Sequence, residues 1–187
     1  MFELGGILLA GGASKRFGAS KLLHPLNDGT PIGLAAACNL IDVVPNSVAV
    51  VRTEEQRLAD MLSEVGLRIV ENPVANQGMS TSISAGIRAL PLCSGWLIAL
   101  ADMPWVRPAT IRALTDSLVN GASIVAPRYE GQRGNPVGFS SRWKHSLQNL
   151  SGDEGARKLI TKYSGELILL DTPDRGVLED IDHPDDL

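Results

Sequence analysis

Leu8-Leu9-Ala10-Gly11-Gly12-Ala13-Ser14-Lys15-Arg16-Phe17-Gly18-Ala19-Ser20-Lys21 is the stretch on which the fold turns. It joins the apolar run Gly6–Ala10 to a glycine pair and three cationic side chains. A short, continuous apolar run is expected of a strand covered on both faces. The glycines let backbone approach a ligand closely. Free N–H groups in such a loop form a concave anion site. Lys15, Arg16 and Lys21 add positive charge, and no acid lies between Glu3 and Asp28. These are the electrostatics of polyphosphate binding. Two well-known loops do not fit: Gly11 and Gly12 are adjacent, so G-x-G-x-x-G is missing, and five residues separate Gly12 from Gly18, so the P-loop spacing is missing too.

Six further apolar runs follow: Val48–Val51, Leu67–Val70, Trp96–Leu100, Ser123–Ala126, Pro136–Phe139 and Leu167–Leu170. Helical patterns lie between them. Leu58, Met61, Leu62 and Val65 fall at i, i+3, i+4 and i+7, and Ile111, Leu114, Leu118 and Val119 come close to the same spacing. Thr30-Pro31 and Arg107-Pro108 each place a proline just inside a helix start. Two more helices are expected over Met79–Leu90 and Asp153–Tyr163. Strand–helix alternation of this kind predicts one α/β domain spanning 1–187, with a mainly parallel sheet between two helical layers. Tyr129-Glu130-Gly131-Gln132 reads as a tight link between two runs, so an antiparallel excursion would make the sheet mixed.

The composition is consistent with one domain. A chain of 187 residues buries about 70% of the surface its unfolded form exposes. Apolar residues are 44% of the chain and aromatics 4%, so Leu, Ile, Val and Ala must build the core. The 17 basic and 21 acidic residues leave a net charge of −4, which argues against nucleic acid as a partner. No apolar run approaches the length of a membrane span, and Met1-Phe2-Glu3 is not the basic opening of a secretory signal. Cys38 and Cys93 are far apart and without metal spacing, which excludes a disulfide framework or structural zinc site. Both are expected to be small buried side chains, and the expected compartment is the cytoplasm.

In a parallel sheet, ligands sit at the carboxyl ends of the strands. The run Trp96–Leu100 ends in Ala101-Asp102-Met103-Pro104 and would aim Asp102 at that edge. A hard carboxylate there suits Mg²⁺, which takes one or two carboxylates together with phosphate oxygens. The C-terminal segment is a second source, with seven acids and one Arg from Asp171 onward. A cation, a polyphosphate and a glycine loop together point to nucleotidyl or phosphoryl transfer.

Several motifs in order extend the pattern: Leu9-Ala10-Gly11-Gly12 with Ser14, Arg16, Gly18 and Lys21; Glu71-Asn72-Pro73; Gln77-Gly78-Met79-Ser80-Thr81-Ser82-Ile83; Leu100-Ala101-Asp102-Met103-Pro104; Arg133-Gly134-Asn135-Pro136-Val137; Gly152-Asp153-Glu154-Gly155-Ala156-Arg157; and Asp180-Ile181-Asp182-His183-Pro184-Asp185-Asp186-Leu187. Together they resemble the MobA-like nucleotidyltransferases over nearly the whole chain, and most of all the MocA branch of molybdenum cofactor cytidylyltransferases. The resemblance implies a Rossmann-like fold of the glycosyltransferase-A, or nucleotide-diphospho-sugar transferase, type. It implies an Mg²⁺-dependent enzyme that transfers CMP from CTP to a molybdopterin-type cofactor and releases pyrophosphate, with an apo molybdenum hydroxylase as a further partner.

Carried over by position, Leu9, Ala10, Gly11 and Gly12 would hold the base and ribose side. Arg16 and Lys21 would hold the β- and γ-phosphates and act in catalysis with Asp102. Asp102 and Asp182 would ligate the metal, while Asn72 and the helix start Ser80-Thr81-Ser82 would face the nucleotide. Arg133, Asn135 and Arg157 are candidates for the acceptor, with Arg128 beside them. His24, His145 and His183 need no catalytic role. Leu9-Ala10-Gly11-Gly12 also matches the guanylyltransferase branch, and Asn135 stands where many cytidylyltransferases of this type carry His. GTP, or another phosphate-bearing acceptor, is therefore the near alternative. A cofactor carrier and a small oxidoreductase on the same fold are the alternatives of another class.

Overall fold

The computed structural model describes residues 3–12, 21–183 and 186. Among them are the strands β1 (Leu4–Leu9), β2 (Ser47–Val51), β3 (Arg68–Glu71), β4 (Gly95–Leu100), β5 (Ile124–Tyr129), β6 (Gln132–Arg133), β7 (Val137–Ser140) and β8 (Leu167–Asp171). The α-helices are α1 (Ile32–Ile41), α2 (Gln56–Glu64), α3 (Met79–Ala89), α4 (Pro108–Val119), α5 (Lys144–Gln148) and α6 (Arg157–Lys162).

One sheet holds all eight strands. β1 lies between β2 and β4, parallel to both, and β3 extends the parallel half beyond β2. On the other side β7 runs antiparallel to β4 and to β5. β5 pairs with β6 through the tight link at 130–131 and runs parallel to β8. The antiparallel excursion is therefore real, and its returning strand β7 is inserted between β4 and β5.

Alternation along the inner strands explains their continuous apolar character, because each face needs its own core. Leu8, Ala49, Val51 and Leu97 pack with Leu40, Leu62, Leu114 and Leu118 of the helical layer built from α1, α2 and α4. Ile7, Val48, Val50 and Trp96 pack on the opposite face with Ile83, Ile87, Leu147 and Ile160 from α3, α5 and α6. Trp96 is fully buried, and its indole N–H donates to the Leu90 carbonyl at 3.0 Å. α3 crosses β1 closely at Gly86, where a Cβ would collide with Ile7. β3 and β8 are less covered than the inner strands β1, β2 and β4.

Three local expectations shift. Pro31 is the N-cap of α1 and not a first-turn residue, whereas Pro108 opens α4 inside its first turn. The helix expected from Asp153 starts only at Arg157, because Gly152 and Gly155 hold positive φ and keep the preceding segment in turns. Cys38 is exposed, not buried, while Cys93 is buried, and both are free thiols. None of the described helices is long and apolar enough to cross a membrane.

Candidate active site

The site forms where β1 and β4 end. The Ala10 N–H donates to the Val50 carbonyl at 2.9 Å and the Ala101 N–H to the Leu9 carbonyl at 3.1 Å, so the chain leaves β1 pinned between its neighbours. Gly11 follows, and the Arg52 Nε donates to its carbonyl at 2.8 Å. A cavity of about 500 Å³ opens above, lined by Gly11, Gly12, Lys21, Arg52, Ser82 and Asp102, among others. That volume suits a nucleotide-sized ligand. The start of α3 also lines it, through Gly78 and Met79, and presents the positive end of the helix dipole.

Asp102 stands immediately after β4. Its carbonyl accepts from the Ile181 N–H at 2.9 Å, which lays the C-terminal segment alongside and brings Asp182 opposite Asp102. That segment is anchored by Asp174, a carboxylate with 2% exposure. Asp174 accepts from the Arg107 N–H at 2.8 Å, the Thr110 hydroxyl at 2.6 Å and the Gly176 N–H at 3.1 Å. It thereby caps the start of α4, which lies 64 to 67 positions away in sequence, and fixes the path to Asp182.

Lys21 opens a short 3₁₀ turn, Lys21–Leu23, whose buried Leu22 packs against Gly33 of α1. Its ammonium donates to Asp102 Oδ2 at 2.9 Å and to Asp182 Oδ1 at 3.1 Å. Burial lowers the Lys21 pKa, but the hydrogen bonds and charges of Asp102 and Asp182 outweigh it, and the net direction is upward. Oxygens of Asp102, Asp180 and Asp182 lie within 4.8 Å of one another. Burial, and then the nearby Asp102 charge, raise the Asp180 pKa. Three converging hard oxygen donors fit Mg²⁺ or Mn²⁺ by donor type.

Lys21, Asp102, Asp182, Leu9, Gly11 and Gly12 therefore share one cavity. Asn72 stands behind it with 4% exposure. Its amide donates to Thr81 Oγ1 at 2.9 Å and Ser82 Oγ at 3.0 Å, so it ties the end of β3 to the start of α3. Thr81 donates to the Gly78 carbonyl at 2.9 Å, and Ser80 is fully buried. Of these α3 hydroxyl residues, it is Ser82 that lines the cavity. Ala10 is buried at the strand end. Arg16 lies outside the described residues, as do Ser14, Lys15 and Gly18.

Arg133 and Arg157 come near each other at the far half of the sheet, and neither side chain has an ion pair among the described residues. Desolvation of the guanidinium, and then Arg157, push the Arg133 pKa down, although the residue as a whole is exposed. Asn135 is held by its N–H to the Val177 carbonyl at 2.9 Å and borders a separate small cavity. Arg128 is engaged bidentately by Asp171 at 2.6 and 2.8 Å. Sequence reasoning placed Ser82 at the nucleotide with its helix start, but missed Arg52 and Asp180 as site residues. Asp180 had a signal, since it sits two residues before Asp182.

Several known proteins are similar to this chain. Purine catabolism protein PucB of Bacillus subtilis is 30% identical over 97% of this chain and 92% of its own. Nicotine blue oxidoreductase of Paenarthrobacter nicotinovorans is 30% identical over 95% and 91%. A probable molybdenum cofactor guanylyltransferase of Chloroflexus aggregans is 28% identical over 67% and 59%. The crystal structure of Rv0371c from Mycobacterium tuberculosis superposes with a TM-score of 0.82 at 26% identity, covering 99% of this chain and 95% of that one. The same protein has been solved in complex with manganese; that structure has a TM-score of 0.79 at 24% identity over 98% and 95%. The fold is the nucleotide-diphospho-sugar transferase type. The model of the MobA-like NTP transferase domain matches residues 6–167, and the chain belongs to that family.

Proposed function

We propose that the protein is a divalent-metal-dependent cytidylyltransferase that moves CMP from CTP to the phosphate of a molybdopterin-type cofactor. The observation that carries this reading is the convergence of Lys21, Asp102 and Asp182 beside the Gly11–Gly12 turn. The molybdenum cofactor enters through the resemblance to the MocA branch and through the guanylyltransferase relative.

The chemistry suits a site without a general base. The second pKa of a phosphate monoester is about 6, so the acceptor is largely dianionic at neutral pH. Its oxygen attacks the α-phosphorus of CTP, the bond to the bridging oxygen breaks, and pyrophosphate leaves with the electron pair. The obstacle is repulsion between two anions, together with the charge that builds on the leaving group. A metal ion held by Asp102 and Asp182, with Asp180 beside them, would neutralise phosphate charge. Lys21 and Arg16 hold the β- and γ-phosphates and stabilise the leaving pyrophosphate. Gly11 and Gly12, backed by the Arg52 contact to Gly11, present backbone to the nucleoside. Asn72, Ser80 and Thr81 set the start of α3 against it. Arg133 and Arg157, with Asn135, receive the acceptor phosphate, because two unpaired guanidinium groups attract a dianion.

Transfer from GTP is the second reading, favoured by the guanylyltransferase relative. Thermal unfolding with CTP, GTP, ATP or UTP, each with and without Mg²⁺, separates the two. At a hundredfold over its dissociation constant a ligand stabilises by about 2.7 kcal/mol. A shift selective for CTP with Mg²⁺ is the expected outcome. A GTP-selective shift moves the assignment to guanylyl transfer. A shift with a nicotinamide dinucleotide and with none of the four triphosphates would instead favour the redox activity named for one relative.

A further inference from the structure

The Lys21 ammonium lies against two of the three carboxylates that could hold a divalent ion. It lies 2.9 Å from Asp102 Oδ2 and 3.1 Å from Asp182 Oδ1, on a side chain with 11% exposure. The same two carboxylates belong to the three-acid cluster whose oxygens approach within 4.8 Å. An ammonium and a divalent cation cannot share these oxygens without strong mutual repulsion at a few ångströms. Some cation is nonetheless required there, since uncompensated carboxylates at this spacing repel one another.

We propose that Lys21 is a tethered cation that holds the metal position in the nucleotide-free protein and yields it when the metal arrives with the triphosphate. The proposal rests on the metal-dependent reading above and adds the order of events. The Lys21 backbone is anchored by the turn packed on α1, while its four-carbon stem leaves the ammonium able to change partners. A divalent ion alone must displace Lys21 from Asp102 and Asp182 and brings its ammonium no new anion. A metal–triphosphate complex supplies both the replacement cation for Asp102 and Asp182 and new phosphate oxygens for Lys21. The free protein therefore binds the metal weakly, and metal and nucleotide enter together.

Mn²⁺ binding to the nucleotide-free protein, read as loss of the free-ion electron paramagnetic resonance signal, tests this directly. A competitor present nine-tenths of the time lowers apparent affinity about tenfold, so Lys21→Gln should bind Mn²⁺ about tenfold more tightly than wild type. Lys21→Arg keeps the positive charge and should stay weak. Adding Asp102→Asn to Lys21→Gln should abolish the gain. Without metal, Lys21→Gln should melt below wild type, and Mn²⁺ should restore it; Lys21→Met serves the same purpose should the Gln variant not fold. Equal Mn²⁺ affinity in Lys21→Gln and wild type, with Mn²⁺ still binding the wild type beside CTP, would overturn the placeholder and leave the metal-dependent reading standing. No Mn²⁺ binding in any variant, with or without CTP, would overturn both.

Discussion

Two corners of the sheet edge carry positive charge and treat it in opposite ways. At the corner formed by β1 and β4, Lys21 is compensated by two carboxylates within 3.1 Å. At the second corner, Arg133 of β6 feels the like charge of Arg157 at the start of α6, and neither has an ion pair among the described residues. A compensated cation stabilises the protein before any ligand arrives and changes partner when one does. An uncompensated pair costs stability until an anion binds it. The first corner suits charge that must be rearranged during a reaction, and the second suits charge that must be received. Under the proposed function these are the nucleotide and acceptor sides of one transfer.

Breaking the compensated corner should have the largest effect. Asp102→Ala should reduce turnover on the order of a thousandfold while leaving the fold intact, judged by rate and far-UV circular dichroism. Turnover near the wild-type rate would remove Asp102 from the chemistry. Next comes the anchor of that corner. Asp174→Ala leaves the Arg107 and Gly176 N–H groups and the Thr110 hydroxyl without their acceptor and should cost about 2 kcal/mol in denaturant unfolding. It should also weaken Mn²⁺ binding, because the segment carrying Asp182 loses its tie, whereas a purely local cap would leave Mn²⁺ unaffected.

The uncompensated corner should respond in the opposite sense. Arg133→Met should raise the acceptor KM about tenfold, with the CTP KM unchanged, and should raise Tm slightly as the repulsion with Arg157 is relieved. A fall in Tm would show that Arg133 is paired after all.

The smallest effects are on pH dependence. The Lys21 pKa is raised above the ordinary lysine value of 10.5, so its stabilising contribution is fully present at neutral pH and is lost as pH climbs through the raised value. The Tm gap between wild type and Lys21→Gln should therefore close in alkali above about pH 10.5. Asp180 has the same sign with the opposite practical meaning. Its raised pKa means that the ionised form, present at neutral pH, is disfavoured in the fold. Asp180→Asn should slightly raise the metal-free Tm at neutral pH, and that gain should vanish below about pH 3.8.

What the sequence made legible is what local pattern can carry. β1, β2 and β4 are continuous apolar runs because both faces are covered, and the glycine pair and Asp102 are read directly from the ends of such runs. The link at 129–132 revealed the antiparallel hairpin. It could not reveal that β7 would slot between β4 and β5, which depends on pairing across the sheet. The illegible parts of the site are likewise long-range. Lys21 meets Asp182 across 161 positions and Asp174 meets Thr110 across 64, with no pattern linking either pair. Arg52 looks like any charged residue after a strand until its contact with the Gly11 carbonyl is seen. Asn72 is legible as a motif, yet its amide is turned inward to Thr81 and Ser82.

Release of pyrophosphate from CTP in the presence of molybdopterin and Mg²⁺ tests the central claim most directly. The account predicts pyrophosphate in equal amount to a cytidylylated acceptor, dependent on both acceptor and metal and lost in Asp102→Ala. No pyrophosphate from any of the four triphosphates, with acceptor and metal both present, would contradict it.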